Sequence, residues 1–259
     1  MIELFTSVYR SVTTVSVLSA LWILVMISVP VIRWTAGAGA ERAGIAAGVF
    51  AQVAVVIAAL ASTLGWFTLV VIAIIPVLGW ASEVLGSKTG VPFGEYHYTD
   101  VLQPQIAKVP ILIPLAWLMM MPPAWAVGSV AAPGRPLAQW AIAAAAFTAW
   151  DVYLDPLMVR WDFWRWRRAG AYLGIPLVNY LGWFIVAFAI TALSALIARA
   201  FGIALFDRIP QASLILVFTV TWLLQFIGQL FFWNLKASAI AGLLAMGVFV
   251  AAVLVRLGL

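Results

Sequence analysis

The chain has 259 residues, of which 66% are apolar and only 9% charged, with 14 Lys and Arg against nine acids and a single histidine. Soluble domains carry roughly 25% charged residues, so this composition excludes an ordinary water-soluble fold and points to lipid as the surrounding medium. The absence of cysteine excludes disulfides and thiolate metal sites, and a net charge of +5 spread over short loops excludes a nucleic-acid patch.

In chain order the hydropathy pattern predicts an all-α, polytopic transmembrane helical bundle of about eight spans, with seven the possible lower count. The first span covers residues 12–32. It is too long, and too thickly followed by further spans, to be a cleaved signal peptide. Residues 43–85 are almost wholly apolar. As one helix they would be roughly 65 Å long, about twice the bilayer core, so they are expected to form two spans turning near residues 62–65. The fourth span covers 109–130 and is expected to be broken by Pro114 and the pair Pro122-Pro123. The fifth covers 136–158, the sixth 177–199, the seventh 212–233 and the eighth 238–257. No repeat or linker divides the chain, so residues 1–259 read as a single integral membrane domain.

Short-loop Lys and Arg set the orientation. One side holds Arg10, Arg135, Arg199, Arg208 and Arg256. The other holds Arg33, Arg42, Lys88, Lys108, Arg160, Arg165, Arg167, Arg168 and Lys236. Nine against five places the second side in the cytoplasm and both termini outside, in what reads as a bacterial or archaeal cell membrane.

Polar chemistry gathers on that same side. Glu83 ends the third span and is followed by a loop, residues 86–100, that reads GSKTGVPFGEYHYTD. Asp151 and Asp155 lie in the last turns of the fifth span; their i, i+4 spacing puts both carboxyl groups on one helix face. Two carboxyl groups close together in low dielectric cannot both ionise cheaply, which leaves a protonated acid beside an anion and suits general acid and base work. The blander alternative is that both pair with Arg160 or Arg165 at the membrane surface. Glu83 is either a further acid or base, or the partner of Lys88. His97, alone of its type, reads as solvated or structural and excludes histidine-based metal motifs. Asn179 opens the sixth span, where capping is the ordinary role and holding a water the alternative. Trp117, Trp150, Trp164, Trp166 and Trp183 read mainly as belt or packing residues, with one or two available to face a cation. No phosphate-binding glycine loop or nucleotide fingerprint is present.

Two stretches carry a family resemblance. Residues 81–120 read ASEVLGSKTGVPFGEYHYTDVLQPQIAKVPILIPLAWLMM, and residues 148–184 read TAWDVYLDPLMVRWDFWRWRRAGAYLGIPLVNYLGWF. The combination of G-x-P-F-G-x-Y-x-Y with a later D-x-x-x-D-P and P-x-x-N-x-x-G-W resembles the carotenoid biosynthesis protein family of membrane hydratases. That family includes γ-carotene 1′,2′-hydratases and archaeal bisanhydrobacterioruberin hydratases. Gln103-Pro104 stands where glycine is common in the family, a minor departure. The outer two spans at each end contribute only hydropathy.

The resemblance implies addition of water across the terminal C1–C2 double bond of an acyclic ψ-end group. Protonation at C2 gives a tertiary cation at C1, and water capture gives a tertiary alcohol, with no cofactor. The substrate would be a lipophilic, lycopene-like or γ-carotene-like carotenoid held in the bilayer, with other carotenoid enzymes as a further class of partner. The family does not itself supply catalytic residues, so the roles follow from chemistry placed on motif positions. Asp151 is the expected proton donor, Asp155 its partner, and Glu83 the reserve for either role. Tyr96, Tyr98, Trp117, Trp150, Asn179 and Trp183 are the expected substrate-binding residues. A membrane prenyltransferase is the first alternative, but it needs two acidic clusters for magnesium diphosphate and only one is present. A transporter or a scaffold for carotenoid enzymes is the second, although no internal repeat supports it.

Overall fold

The computed structural model describes residues 2–259, with side chains from Thr13 onward. The side chain of Arg10, counted above on the less basic side, lies outside the described residues. Eight α-helices alternate with four very short strands: α1 (Ile2–Leu64), α2 (Phe67–Thr89), β1 (Tyr96–Tyr98), β2 (Gln105–Ile106), β3 (Val109–Pro110), α3 (Leu112–Ala131), α4 (Pro136–Arg160), β4 (Trp164–Trp166), α5 (Leu177–Ala200), α6 (Leu205–Arg208), α7 (Gln211–Ile227) and α8 (Lys236–Leu257). A five-residue π-helical turn, Gly228–Phe232, continues α7. Among the described residues, seven helices are long and apolar enough to cross a bilayer.

The first of these is a hairpin. At Gly37 the backbone leaves helical geometry, with φ 80° and ψ −176°, a conformation open essentially to glycine alone. The two legs then run back along each other. A Cβ on Gly44 would lie 3.4 Å from Val29, and one on Gly48 would lie 2.7 Å from Met26. Arg33 and Glu41 close the corner with a 2.7 Å ion pair. The hairpin therefore supplies two crossings, and the expectation of eight spans holds. The expected turn at residues 62–65 falls at Gly65 and Trp66, between α1 and α2.

The fourth span departs from expectation. The prolines do not break it: α3 runs unbroken through Pro122 and Pro123, and Pro114 lies in its first turn. Pro123 lacks the N–H that would reach the carbonyl of Met119. Gln52 of α1 fills that vacancy, its Nε2 donating to Met119 O at 3.3 Å. Neighbouring helices satisfy freed backbone groups in this way inside membranes. The start of the span also shifts, because Val109 and Pro110 form β3, paired with β2 across a tight turn at Ala107 and Lys108, both with positive φ.

Helix α3 is the centre of the bundle, buried at every residue from 117 to 130. Around it stand α1, α2, α4, α7 and α8. Exposed residues such as Leu24, Leu69, Phe231, Leu244 and Val248 form the outer, lipid-facing surface. The loops after the first leg of α1 and after α2, α4 and α7 meet at one end. Trp233 donates to Glu41 at 3.0 Å, Trp161 meets Trp233 edge-on at 5.3 Å, and β1 pairs with β4.

Candidate active site

The β1–β4 pairing brings the two motif loops together. Its antiparallel register opposes Tyr96 to Trp166, His97 to Arg165 and Tyr98 to Trp164. Strand alternation sends the tyrosines and tryptophans to one face and His97 and Arg165 to the other. The inner face covers the C-terminal ends of α2 and α4 and the N-terminal end of α5. Outside it, Arg165 is engaged by Asp162 at 2.5 and 2.7 Å, and that ion pair holds the exposed Asp162 carboxyl below its ordinary range.

Under this lid lie three acids. Asp151 and Asp155 are 0% and 1% exposed, and Glu83 is buried as well. Glu83 accepts from three neutral donors: Tyr96 at 2.5 Å and Tyr98 at 2.8 Å on Oε2, and Trp117 Nε1 at 3.2 Å on Oε1. Asp155 also accepts three hydrogen bonds. Trp164 Nε1 (2.7 Å) and Trp166 Nε1 (3.2 Å) reach Oδ1, and Asn179 Nδ2 (2.9 Å) reaches Oδ2. Asp151 accepts one, from Asn179 Nδ2 to Oδ2 at 2.7 Å, and its Oδ1 is buried without a hydrogen-bond partner. Among the described residues, no Lys or Arg lies within ion-pair distance of any of the three.

These contacts correct three readings. The aspartates do not pair with Arg160 or Arg165, because the β1–β4 face puts indole N–H groups where a guanidinium would have to sit. Glu83 does not hold Lys88; its side chain points inward to Tyr96, Tyr98 and Trp117. Asn179 does not cap α5. Its amide faces α4 from the first turn, and both of its N–H bonds are used on the aspartates.

Tyr96 and Tyr98 are held well above the usual phenol range, first by burial and then by the neighbouring Glu83 charge. Both therefore remain O–H donors across the physiological range. Close backbone approaches fix the frame. A Cβ on Gly182 of α5 would lie 2.7 Å from the carbonyl oxygen of Pro92, and one on Gly79 of α2 would lie 2.7 Å from the Trp117 ring.

The acids border a cavity of about 20 Å³, room for about one water. Glu83, Tyr96, Tyr98, Trp117, Asp151, Asp155, Asn179 and Trp183 all line it, and so do Phe93, Trp164 and Trp166. Its aromatic wall continues inward as a stack. Trp117 lies 4.9 Å from Trp183 with planes 20° apart, and Phe147 lies 5.2 Å from Trp183. Eight of the nine expected site residues thus meet at one cavity. Trp150 is the exception: it packs against Phe147 and Trp183 and lines a neighbouring apolar groove instead. Trp164 and Trp166, read as belt residues, prove to be the partners of Asp155. The alternation in W-R-W, matching that in Y-H-Y, was the available signal. On the outer side, Tyr96 also borders a polar cleft of about 380 Å³ formed by Ser87, Lys88, Thr89, Glu95, His97 and Arg167. His97 is exposed there, as its solvated reading requires.

A helical bundle with lipid-facing walls and three buried acids on neutral donors at one end is an integral membrane protein with a built polar site. The chain belongs to the carotenoid biosynthesis protein family: the family model of that description matches residues 43–250, well over half of the chain. No curated protein and no solved structure matches it.

Proposed function

We propose that this protein is a carotenoid hydratase that adds water across the terminal C1–C2 double bond of an acyclic ψ-end group. The observation that carries the reading is the unequal hydrogen bonding of the two aspartates. Asp155 accepts on both oxygens, the pattern of an anion held by donors. Asp151, which lines a cavity the size of one water, has one buried oxygen with no partner. A proton on that oxygen would have nothing to bond to except a substrate or the water.

The chemistry follows from this placement. Asp151, as the neutral acid, protonates C2 of the trisubstituted alkene through Oδ1, and the C1 cation forms. Trp117 and Trp183 line the cavity, and their aromatic rings are the groups available to stabilise it. Water adds to C1, and the oxonium proton passes to the aspartate pair, which restores the site with net addition of one water. Asn179 fixes the spacing of the two carboxyl groups. Glu83 has both oxygens already engaged, which favours Asp151 over it as donor. The polar cleft that Tyr96 also borders supports entry of water from that side, and the loop charge count supports its being the cytoplasmic one.

The test is expression in a bacterium that accumulates lycopene, followed by pigment analysis. A product heavier by one water supports the reading. Unchanged pigment from membranes that contain the folded protein overturns it.

A further inference from the structure

Beside the acid cavity lies a much larger space. An apolar groove of about 430 Å³ runs between both legs of the α1 hairpin and α3, α4 and α7. This volume is within the range of small-molecule sites, roughly 300–1,000 Å³. We propose that this groove seats the polyene chain of the substrate, admitted sideways from the bilayer between the first leg of α1 and α7, so that only the end group reaches the acids. The proposal rests on the hydratase reading for the identity of the occupant.

Three observations support it. First, the groove and the acid cavity share walls: Ile113, Ala116, Leu154 and Trp164 line both. These side chains form a neck, with Trp164 marking its polar end by donating to Asp155 at 2.7 Å. Second, the groove lining is mostly apolar and several of its polar side chains are engaged, although the buried Nε1 of Trp150 has no hydrogen-bond partner. Gln52 bonds Met119 O and Met120 Sδ and approaches Thr221 at 3.5 Å. Gln225 accepts from Gln229, and Trp233 donates to Glu41. What faces the groove is therefore mostly hydrocarbon and ring surface, which suits a chain without polar groups. Third, Ile27 and Val31 of α1 and Ile227 of α7 line the groove and are also exposed on the lipid-facing surface. An occupant can lie partly in the groove and partly in the bilayer.

The groove also explains why the hairpin is pinned. Glu41 is buried and holds both Arg33 and Trp233, which ties the turn at Gly37 to the end of α7 and keeps the two groove walls in register.

The experiment uses the full-length protein in lipid nanodiscs with two probes that share an end group, lycopene and the short isoprenoid ester geranyl acetate. Bound polyene is read by induced circular dichroism in its visible band, and turnover by product mass. Val49→Trp fills the groove from α1 at a position that does not border the acid cavity. Leu224→Trp does the same from α7 and carries the test if Val49→Trp does not insert. We expect the ratio of lycopene to geranyl acetate turnover to fall by about tenfold or more, with loss of the induced band. An unchanged ratio in an inserted variant, as expected if the groove holds only bilayer lipid, overturns the proposal. An induced band in the wild type that is lost on filling, with neither probe hydrated by the wild type, leaves the groove standing and removes the hydratase reading.

Discussion

Asn179 and Asp155 stand in a one-to-two relationship across the α4–α5 interface: a single amide nitrogen lies 2.9 Å from Asp155 and also 2.7 Å from Asp151. One residue thereby bridges the two acids. Removing it leaves two buried carboxyl groups short of donors, a loss of about 1–3 kcal/mol each way of counting. We expect Asn179→Ala to lower the unfolding midpoint and to reduce turnover per inserted molecule by about tenfold or more. Wild-type turnover in this variant would show that the spacing is unimportant. Thermal unfolding and product analysis on the same preparation measure both effects.

Ser87 and Arg167 border the same polar cleft. Single cysteines at these positions, in a chain with no native cysteine, should label from one side of the membrane. The excess of Lys and Arg in the loops of that end makes the cytoplasm the expected side. Labelling of both from outside would invert the topology but keep the site, whereas labelling from opposite sides would contradict the β1–β4 pairing.

Turnover should survive a strong chelator. The acids line a space of about 20 Å³ and their oxygens already accept from indole, phenol and amide donors, a poor seat for a magnesium diphosphate. Turnover abolished by chelator and restored by magnesium would favour the prenyltransferase reading.

The tyrosines predict an alkaline limit. Tyr96 and Tyr98 lie outside the spans, and burial together with the Glu83 charge raises both phenols in the folded state. The unfolded chain would lose these protons near pH 10, about the ordinary phenol value. The stabilisation is therefore fully present below about pH 10 and is lost as pH rises through the folded values. The unfolding midpoint should be flat to about pH 9 and fall above about pH 10. Tyr98→Phe should show a shallower fall, because it removes one of these two buried phenols from the titration. An equal slope in the variant would assign the alkaline limit to other groups.

Most of the span pattern was legible because runs of about 20 apolar residues have no other home, and the acids stood out because ionisable groups near spans are rare. The hairpin at Gly37 left a weaker mark: only its backbone angles distinguish it from the other glycines nearby. The β1–β4 pair was illegible by length, since three-residue strands 68 positions apart carry almost no periodic signal, although Y-H-Y and W-R-W share an alternation. Asn179 was misread because position in the chain suggests a cap, while its true partners come from a different helix. The prolines of α3 were misread for the same reason: Gln52, which compensates Pro123, lies 67 residues away from the carbonyl it satisfies.

On the proposed reading, Asp151 is the proton donor. Its Oδ1 is the one carboxyl oxygen of the aspartate pair without a donor, and it is buried. An ionised carboxylate cannot protonate carbon, so a donor to an alkene must carry its proton, and among the described residues no Lys or Arg pairs with this carboxyl. Asn at this position keeps the shape and can still accept from Asn179, but it has no carboxylic proton to give. We expect Asp151→Asn to insert and to bind carotenoid, while turnover falls by at least about 100-fold, the low end for loss of a general acid. Asp155→Asn should reduce turnover less if Asp155 only tunes its neighbour and handles water, though it sets an amide against the indole donors of Trp164 and Trp166. A purely structural role for the pair predicts the reverse pattern: poor insertion, and near-normal turnover in whatever protein folds. The comparison is hydrated product per inserted molecule for Asp151→Asn, Asp155→Asn and Glu83→Gln. Near wild-type turnover in the first, with loss in the third, would move the proton donor to Glu83 and make its three hydrogen bonds the feature to explain.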